Sequence, residues 1–111
     1  MKAKLTVVAG PIKESEILLE NFPLTIGRSQ TADLLIGYPW ISRHHCEFRS
    51  DGDLLVVRDL GSKNGTWVNG APIKEAVLKP GDRLSLGDLT FEAQFEEAEV
   101  AIHVASDAEA N

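Results

Sequence analysis

The sequence predicts an all-β fold, either a sandwich or a barrel, and three features of its apolar pattern favour that class. Apolar segments are short, as in Leu5–Ala9 and Leu24–Ile26, and nearly all of them end at turn residues. Leu84 and Leu86 show the two-residue alternation of a strand. No window before residue 95 has the 3.6-residue apolar period of an amphipathic helix. Short strands with turn signals roughly every 8–12 residues are typical of sandwiches and barrels.

Turn residues mark where the predicted strands begin and end. Ser50–Asp53 separates two apolar segments as a hairpin turn, Asn69-Gly70 ends another strand, and Gly87-Asp88 joins the last two. The strands predicted in this way are Leu5–Ala9, Ile17–Leu19, Leu24–Ile26, Leu34–Ile36, His44–Phe48, Leu54–Val57, Thr66–Val68, Arg83–Leu86 and Leu89–Phe95.

The charge of the chain is uneven. Its 111 residues carry 17 acids and 11 Lys and Arg, a formal net charge of −6. Five of the acids stand in residues 96–111, which have no Lys or Arg, so that twelve acids and a net charge of −1 remain for residues 1–95. We expect residues 1–95 to form one domain, and the acidic, Ala-rich segment 96–111 to be a disordered tail or a linker.

The composition disfavours several classes of function. No basic stripe marks a nucleic-acid surface, no apolar run approaches the roughly 20 residues of a membrane-spanning helix, and the first ten residues do not resemble a secretory signal. Cys46 is the single cysteine. It excludes an internal disulfide and suits a reducing compartment, so the cytoplasm is the expected location.

Metal binding and catalysis are disfavoured by where the candidate residues stand. His44 and His45 are adjacent on a predicted strand, so their side chains would point to opposite faces. Cys46 shares a face with Phe48 and is expected to be a small buried residue. Paired carboxylates such as Asp51/Asp53 and Glu96/Glu97 stand in a turn and in the acidic segment, and no nucleophile has an evident base. We expect no metal, no cofactor and no enzymatic activity; a β-sandwich hydrolase is the least favoured alternative.

Three polar clusters interrupt the strands. They are Gly27-Arg28-Ser29, Ser42-Arg43-His44-His45 and the segment from Asp59 to Thr66. Each stands at the end of an apolar strand and therefore on a loop. Loops at one end of a sandwich converge, so we expect the three clusters to form one site.

The chemistry of these clusters suits a phosphate group on an extended peptide. Arg28 and Arg43 offer planar guanidinium groups that match two phosphate oxygens, and Lys63 adds positive charge. Ser42 supplies a hydroxyl, and N–H groups of the turns can bind the remaining oxygens. Asn64 has both donors and an acceptor, with which it can bind a peptide main chain.

The order and spacing of these motifs resemble the forkhead-associated (FHA) domain family. The matching residues are Gly27-Arg28, Ser42-Arg43-x-His45, Ser62-x-Asn64-Gly65-Thr66-x-Val68-Asn69-Gly70 and Leu78-x-Pro80-Gly81-Asp82. The resemblance extends over about residues 4–95. It implies an FHA/SMAD-like sandwich of two sheets, with about eleven short strands of antiparallel type, and a domain that binds phosphothreonine.

The resemblance also implies roles for individual residues. The family's phosphate-binding arginine and serine correspond to Arg28 and Ser42, and the next residue, Arg43, is suited to a further contact. Asn64 corresponds to the residue that holds the peptide main chain, and Lys63 would lie beside the phosphothreonine. The residues expected to support the site are Gly27, His45, Gly65 and Thr66.

Specificity in this family usually depends on the residue three places after the phosphothreonine. The loop before Ser42 is the expected contact, and its Tyr38 and Trp40 suggest an apolar preference. Trp67, in contrast, is expected to serve in packing.

The resulting prediction is a signalling adaptor that binds partners through phosphothreonine. Its partner would be a Thr-phosphorylated segment, the product of a Ser/Thr kinase. The alternative is a phosphate-independent scaffold or self-association domain that uses a sheet face. For two of the expected binding residues the sequence also allows another role: Arg43 could pair with Asp59 or Asp33, and Lys63 could be solvated.

Overall fold

The computed structural model describes residues 1–12 and 15–96 and has the predicted all-β architecture. Eleven strands form two sheets, and the described residues contain no helix. The strands are β1 (Ala3–Ala9), β2 (Glu16–Leu19), β3 (Leu24–Gly27), β4 (Leu34–Leu35), β5 (Cys46–Asp51), β6 (Leu54–Asp59), β7 (Thr66–Val68), β8 (Ala71–Ile73), β9 (Glu75–Leu78), β10 (Arg83–Leu86) and β11 (Leu89–Gln94). Accordingly, no described helix could cross a membrane.

The two sheets divide the strands in a non-sequential order. One sheet has six strands in the order β2-β1-β11-β10-β7-β8, and the other has five in the order β4-β3-β5-β6-β9. The strand pairs whose register is defined are antiparallel except β3 with β4, which is parallel. The prediction of a two-sheet sandwich is confirmed.

Beyond shifts of a few residues at other strand ends, sequence and structure differ in two omitted strands and at the start of a third. The prediction omits β8 and β9, which are short strands at the sheet edges; β8 contains Pro72, a residue tolerated there because an edge strand needs fewer ladder donors. β5 begins at Cys46 rather than at His44. The two histidines belong to the preceding loop, where the N–H of His45 donates to the carbonyl of Ile26.

The core lies between the two sheets and follows the alternation in the sequence. On β11, Leu89, Phe91 and Ala93 are buried, whereas the residues between them face outward. Phe91 and, from the opposite sheet, Phe48 are fully buried. Burial of each such side chain stabilises the fold by about 1.5–3 kcal/mol relative to leaving it exposed. Cys46 is also fully buried, as predicted.

Strand register brings the three polar clusters to one end of the sandwich. Cys46 at the start of β5 pairs with Ile26 near the end of β3 and with Asp59 at the end of β6. In the other sheet, Thr66 at the start of β7 pairs with Leu86 at the end of β10. The loops that follow β3, precede β5 and connect β6 to β7 therefore emerge at the same end. The segment 96–111, expected to be a tail, lies outside the described residues except for Glu96.

Candidate functional site

The end of β3 is held against the loop between β4 and β5. The N–H groups of Arg28 and Ser29 donate to the carbonyls of Ser42 and Arg43, at 3.0 and 3.1 Å. Gly27 is buried beneath this loop, and the carbonyl of Arg43 fills the space that a Cβ atom would need. Glycine is therefore required here, because the backbone of the loop approaches too closely for a side chain.

The Arg28 side chain is oriented by one hydrogen bond to this loop, and most of its guanidinium N–H groups remain available for a ligand. Its Nε donates to the carbonyl of Ile41 at 2.9 Å, and within the described residues its two Nη atoms have no acceptor. The side chain is exposed. The ion pairs of the described residues involve Lys2, Lys4 and Arg49, so Arg28 has no carboxylate partner there.

Ser42 connects two of the loops and leaves its hydroxyl proton available. Its Oγ accepts from the N–H of Lys63 at 2.9 Å, and its own N–H donates to Nδ1 of His45 at 3.1 Å. Since Oγ acts as an acceptor in this bond, its O–H can still donate to a ligand oxygen.

His45 is fully buried and joins the second loop to the third. Because its Nδ1 accepts from Ser42, the ring is the neutral tautomer with hydrogen on Nε2. Nε2 then donates to the carbonyl of Gly65 at 2.8 Å. His45 thus lies under the loops and supports them through both ring nitrogens.

Asp59 organises the loop between β6 and β7. Its carboxylate accepts from the hydroxyls of Ser62 (2.5 Å) and Thr66 (2.7 Å), and from the N–H groups of Gly61 and Ser62 (3.0 and 3.1 Å). The Ser62 hydroxyl in turn accepts from the N–H of Gly65. Partial burial of the carboxylate opposes ionisation, but these hydrogen bonds outweigh it and lower the pKa of Asp59.

Sequence reasoning assigned no such role to Asp59, which it considered only as a partner for Arg43. The local signal is an aspartate followed by Gly61 and Ser62, the spacing at which a carboxylate accepts from nearby N–H groups in an Asx turn. The other partner considered for Arg43, Asp33, instead accepts from the N–H and hydroxyl of Thr25. Arg43 is exposed and forms no ion pair within residues 1–12 and 15–96.

Lys63 and Asn64 stand at the exposed tip of the third loop. The side chain of Lys63 has no carboxylate partner among the described residues. Nδ2 of Asn64 donates to the carbonyl of Trp40 at 2.8 Å, which fixes the orientation of the amide. Its Oδ1 has no donor within the described part of the chain and can accept from a peptide N–H.

Tyr38 and Trp40 are stacked on each other and half-buried. Their ring centroids are 4.9 Å apart and the planes differ by 8°. Trp40 lies against Gly87 in the turn between β10 and β11, where a Cβ atom would overlap the indole. Tyr38 lines an apolar groove of about 420 Å³ between the edges of β2 and β4, whose walls include Ile17, Leu35 and Phe91.

The site therefore contains the predicted residues in one place. Loops carrying Arg28, Ser42, Arg43, Lys63 and Asn64 are joined by direct hydrogen bonds. Three cationic side chains lie on these loops without a carboxylate partner in the described chain. Such an arrangement can bind an anion and, through Asn64, a main chain beside it.

Known proteins resemble the chain in sequence and in structure. The oxoglutarate dehydrogenase inhibitor of Corynebacterium jeikeium is 40% identical over 85 residues, which cover 77% of this chain and 59% of that protein. The glycogen accumulation regulator GarA of Mycolicibacterium smegmatis is also 40% identical over 85 residues, with 77% and 54% covered. The chain thus spans little more than half the length of these relatives.

A solved structure from a study of phosphothreonine-dependent FHA domain interactions superposes with a TM-score of 0.78 at 32% sequence identity. It covers 88% of this chain and all of that one. The family model for the FHA domain matches residues 24–87, more than half of the chain and all three loop clusters. Because the family model matches its sequence and the fold and loop geometry agree with that match, the chain belongs to the FHA domain family.

Proposed function

We propose that this domain is a phosphothreonine-dependent protein–protein interaction module that binds an extended phosphopeptide across its loops and has no catalytic activity. The observation that carries the proposal is the set of cationic side chains of Arg28, Arg43 and Lys63, which stand on loops that Ser42 joins and have no carboxylate partner in the described chain. A phosphate dianion supplies the missing negative charge. The solved FHA domain at 32% identity comes from a study of phosphothreonine-dependent interactions.

In the proposed complex the phosphate lies between the first two loops. The free Nη groups of Arg28 donate to two phosphate oxygens, and the Ser42 hydroxyl donates to another. Arg43 and Lys63 add charge at the rim. Hydrogen bonds to charged groups contribute about 1.5–3 kcal/mol each, so two or three of them distinguish a phosphorylated from an unmodified peptide.

Asn64 binds the main chain of the same peptide in this proposal. Its Nδ2 is held by the carbonyl of Trp40, so Oδ1 accepts from a peptide N–H and the second Nδ2 hydrogen remains for a peptide carbonyl. Two such bonds fix the direction of an extended segment relative to the phosphate.

The apolar groove beside Tyr38 is the proposed specificity pocket. It adjoins Tyr38, which stacks on Trp40, and the carbonyl of Trp40 holds Asn64. An apolar partner residue on one side of the phosphothreonine can therefore reach it. A degenerate phosphopeptide library should select apolar residues near the third position after the phosphothreonine; selection of acidic residues there contradicts this assignment.

The partner and the cellular context complete the proposal. The ligand is a Thr-phosphorylated segment produced by a Ser/Thr kinase, and the buried, unpaired Cys46 suits the reducing cytoplasm. Residues 1–95 form the binding domain, and 96–111 serve as an acidic tail or linker.

Titration calorimetry with paired peptide pools tests the function. Heat should be released by a phosphothreonine pool but not by the same pool without phosphate. Arg28→Gln should weaken binding by about 150-fold or more, the equivalent of two charge-assisted bonds of about 1.5 kcal/mol or more each. Arg58→Gln is the matched control, since Arg58 is equally an exposed arginine but lies on the outer face of β6 and belongs to none of the three loop clusters.

The alternative of a phosphate-independent scaffold has one supporting observation. Leu54 and Val77 on the five-stranded sheet are 46% and 43% exposed, and β9 is a sheet edge. Equal heat from both peptide pools, or binding unaffected by Arg28→Gln, would contradict the phosphothreonine proposal and favour this alternative.

A further inference from the structure

The loop that carries Asn64 is held from two sides by ring N–H groups. From the core, Nε2 of His45 donates to the carbonyl of Gly65 at 2.8 Å. From the outer face of the six-stranded sheet, Nε1 of Trp67 donates to the carbonyl of Asn64 at 3.1 Å. Two successive carbonyls of the loop are thus fixed, and the peptide plane that follows Asn64 cannot rotate without breaking the bond to Trp67.

The conformation of Gly65 allows the indole to reach back over the loop. Gly65 has φ +86°, in the left-handed region, and a Cβ atom there would lie 3.0 Å from Nε1 of Trp67. The indole therefore packs directly on the glycine, and its position depends on the absence of a side chain at 65.

Trp67 contributes little to the core. It is 37% exposed and does not belong to the apolar cluster between the sheets, to which its neighbour Val68 is packed. The sequence predicts packing for Trp67, but its ring lies on the outer face of the sheet, next to Ser85 of β10 and Pro72 of β8. The specific interaction that its indole nitrogen makes is the one with Asn64.

We propose that Trp67 is a positioning residue for peptide recognition. Its indole N–H fixes the main chain of Asn64, the carbonyl of Trp40 fixes the Asn64 side chain, and together they direct Oδ1 toward the bound peptide. Trp67 acts through Asn64 and does not touch the phosphate. This inference rests on the proposed phosphopeptide function, which it deepens.

Trp67→Phe tests the proposal because it removes the N–H and retains an aromatic ring. Affinity for an extended phosphothreonine peptide should fall roughly 3- to 10-fold, the effect of one neutral hydrogen bond. Affinity for inorganic phosphate, measured by NMR titration, should stay within about twofold, because inorganic phosphate has no main chain for Asn64 to bind and Arg28 and Ser42 are unaffected. The urea midpoint of the variant shows whether the fold is intact.

A double-mutant cycle with Asn64→Ala separates positioning from a general structural effect. In the Asn64→Ala background, Trp67→Phe should cause no further loss of peptide affinity. A loss of equal size in both backgrounds, or an equal loss for inorganic phosphate, overturns the proposal. So does a Trp67→Phe variant that binds the extended peptide as tightly as the parent.

A readout without ligand distinguishes failure of this inference from failure of the proposed function. In the parent, the Nδ2 protons of Asn64 should give a dispersed, slowly exchanging NMR signal, since one of them is bonded to Trp40. Trp67→Phe should shift this signal toward that of a free amide. If the parent binds no phosphopeptide, the proposed function is wrong, and this result does not depend on Trp67. If the Asn64 signal is unchanged in Trp67→Phe, the positioning role is wrong, whether or not the peptide binds.

Discussion

The carbonyl of Arg43 occupies the position that a side chain at Gly27 would need. The last residue of β3 is thereby pressed against the loop before β5, with no intervening atom. Directly after Gly27, the N–H groups of Arg28 and Ser29 donate to the carbonyls of Ser42 and Arg43. Backbone contacts therefore hold the first two clusters of the site together, and the bond from Arg28 Nε to the Ile41 carbonyl adds to them.

Gly27→Ala should therefore damage both stability and binding. The added methyl must displace the loop that carries Ser42 and Arg43, and overpacking of this kind costs about 1–3 kcal/mol. Urea unfolding measures the stability, and calorimetry with a phosphothreonine peptide measures the binding. Gly37→Ala is the matched control, because the nearest atom to its Cβ would be 3.8 Å away, on the Leu35 side chain. Equal effects of the two changes would contradict the role of close approach.

Gly87→Ala should disturb the site through Trp40. A Cβ atom at Gly87 would overlap the indole of Trp40. The carbonyl of Trp40 accepts the hydrogen bond that orients the Asn64 side chain. Gly52→Ala separates this overlap from backbone strain, since Gly52 has nearly the same φ (+63° against +64°) but no atom within 4 Å of its Cβ. Both variants should lose about 1 kcal/mol of stability from the left-handed backbone. Only Gly87→Ala should also lose peptide affinity; an unchanged affinity speaks against the link to Asn64.

His45→Phe should lower the free energy of unfolding by about 2–6 kcal/mol. The phenyl ring fits a buried site but leaves the Ser42 N–H and the Gly65 carbonyl without partners, and each such group costs about 1–3 kcal/mol. Chemical denaturation measures the effect. His44→Phe is the control, because His44 is exposed and, among the described residues, its Nε2 forms a hydrogen bond only with the exposed hydroxyl of Thr31. A comparable loss in both variants would rule out the bridging role of His45.

Asp59→Asn should lower stability by about 1–3 kcal/mol at neutral pH, because an amide cannot accept from all four donors that bind the carboxylate. It should also alter the pH dependence of the free energy of unfolding. The pKa of Asp59 is below its ordinary value of 3.8 in the folded state, so its stabilisation is present above that value and is lost as the pH falls through the folded pKa. Below about pH 4, the free energy of unfolding should therefore fall less steeply with decreasing pH in the variant than in the parent. Asp51→Asn, at the exposed end of β5, should leave the stability at neutral pH unchanged.

Local patterns in the sequence were sufficient to predict the fold class and the chemistry of the loops. Alternation on β10 and β11, and the turn at Gly52, depend on neighbouring residues only, because the two-residue period of a strand and the left-handed backbone of a turn are local properties. The kinds of side chain that bind phosphate can likewise be recognised from the sequence without knowledge of distant contacts. The short edge strands β8 and β9 escaped prediction because they lack a clear alternation.

The tertiary structure alone decided how the loops are joined. His45 reaches Gly65 across 20 positions and Asn64 reaches Trp40 across 24. These contacts depend on which strands pair and in which register, and pairing energies between distant segments do not appear in any local pattern. For the same reason Trp67 was predicted to pack: the sequence shows its strand, whereas its bond to Asn64 requires the left-handed turn at Gly65 that brings the indole back over the loop.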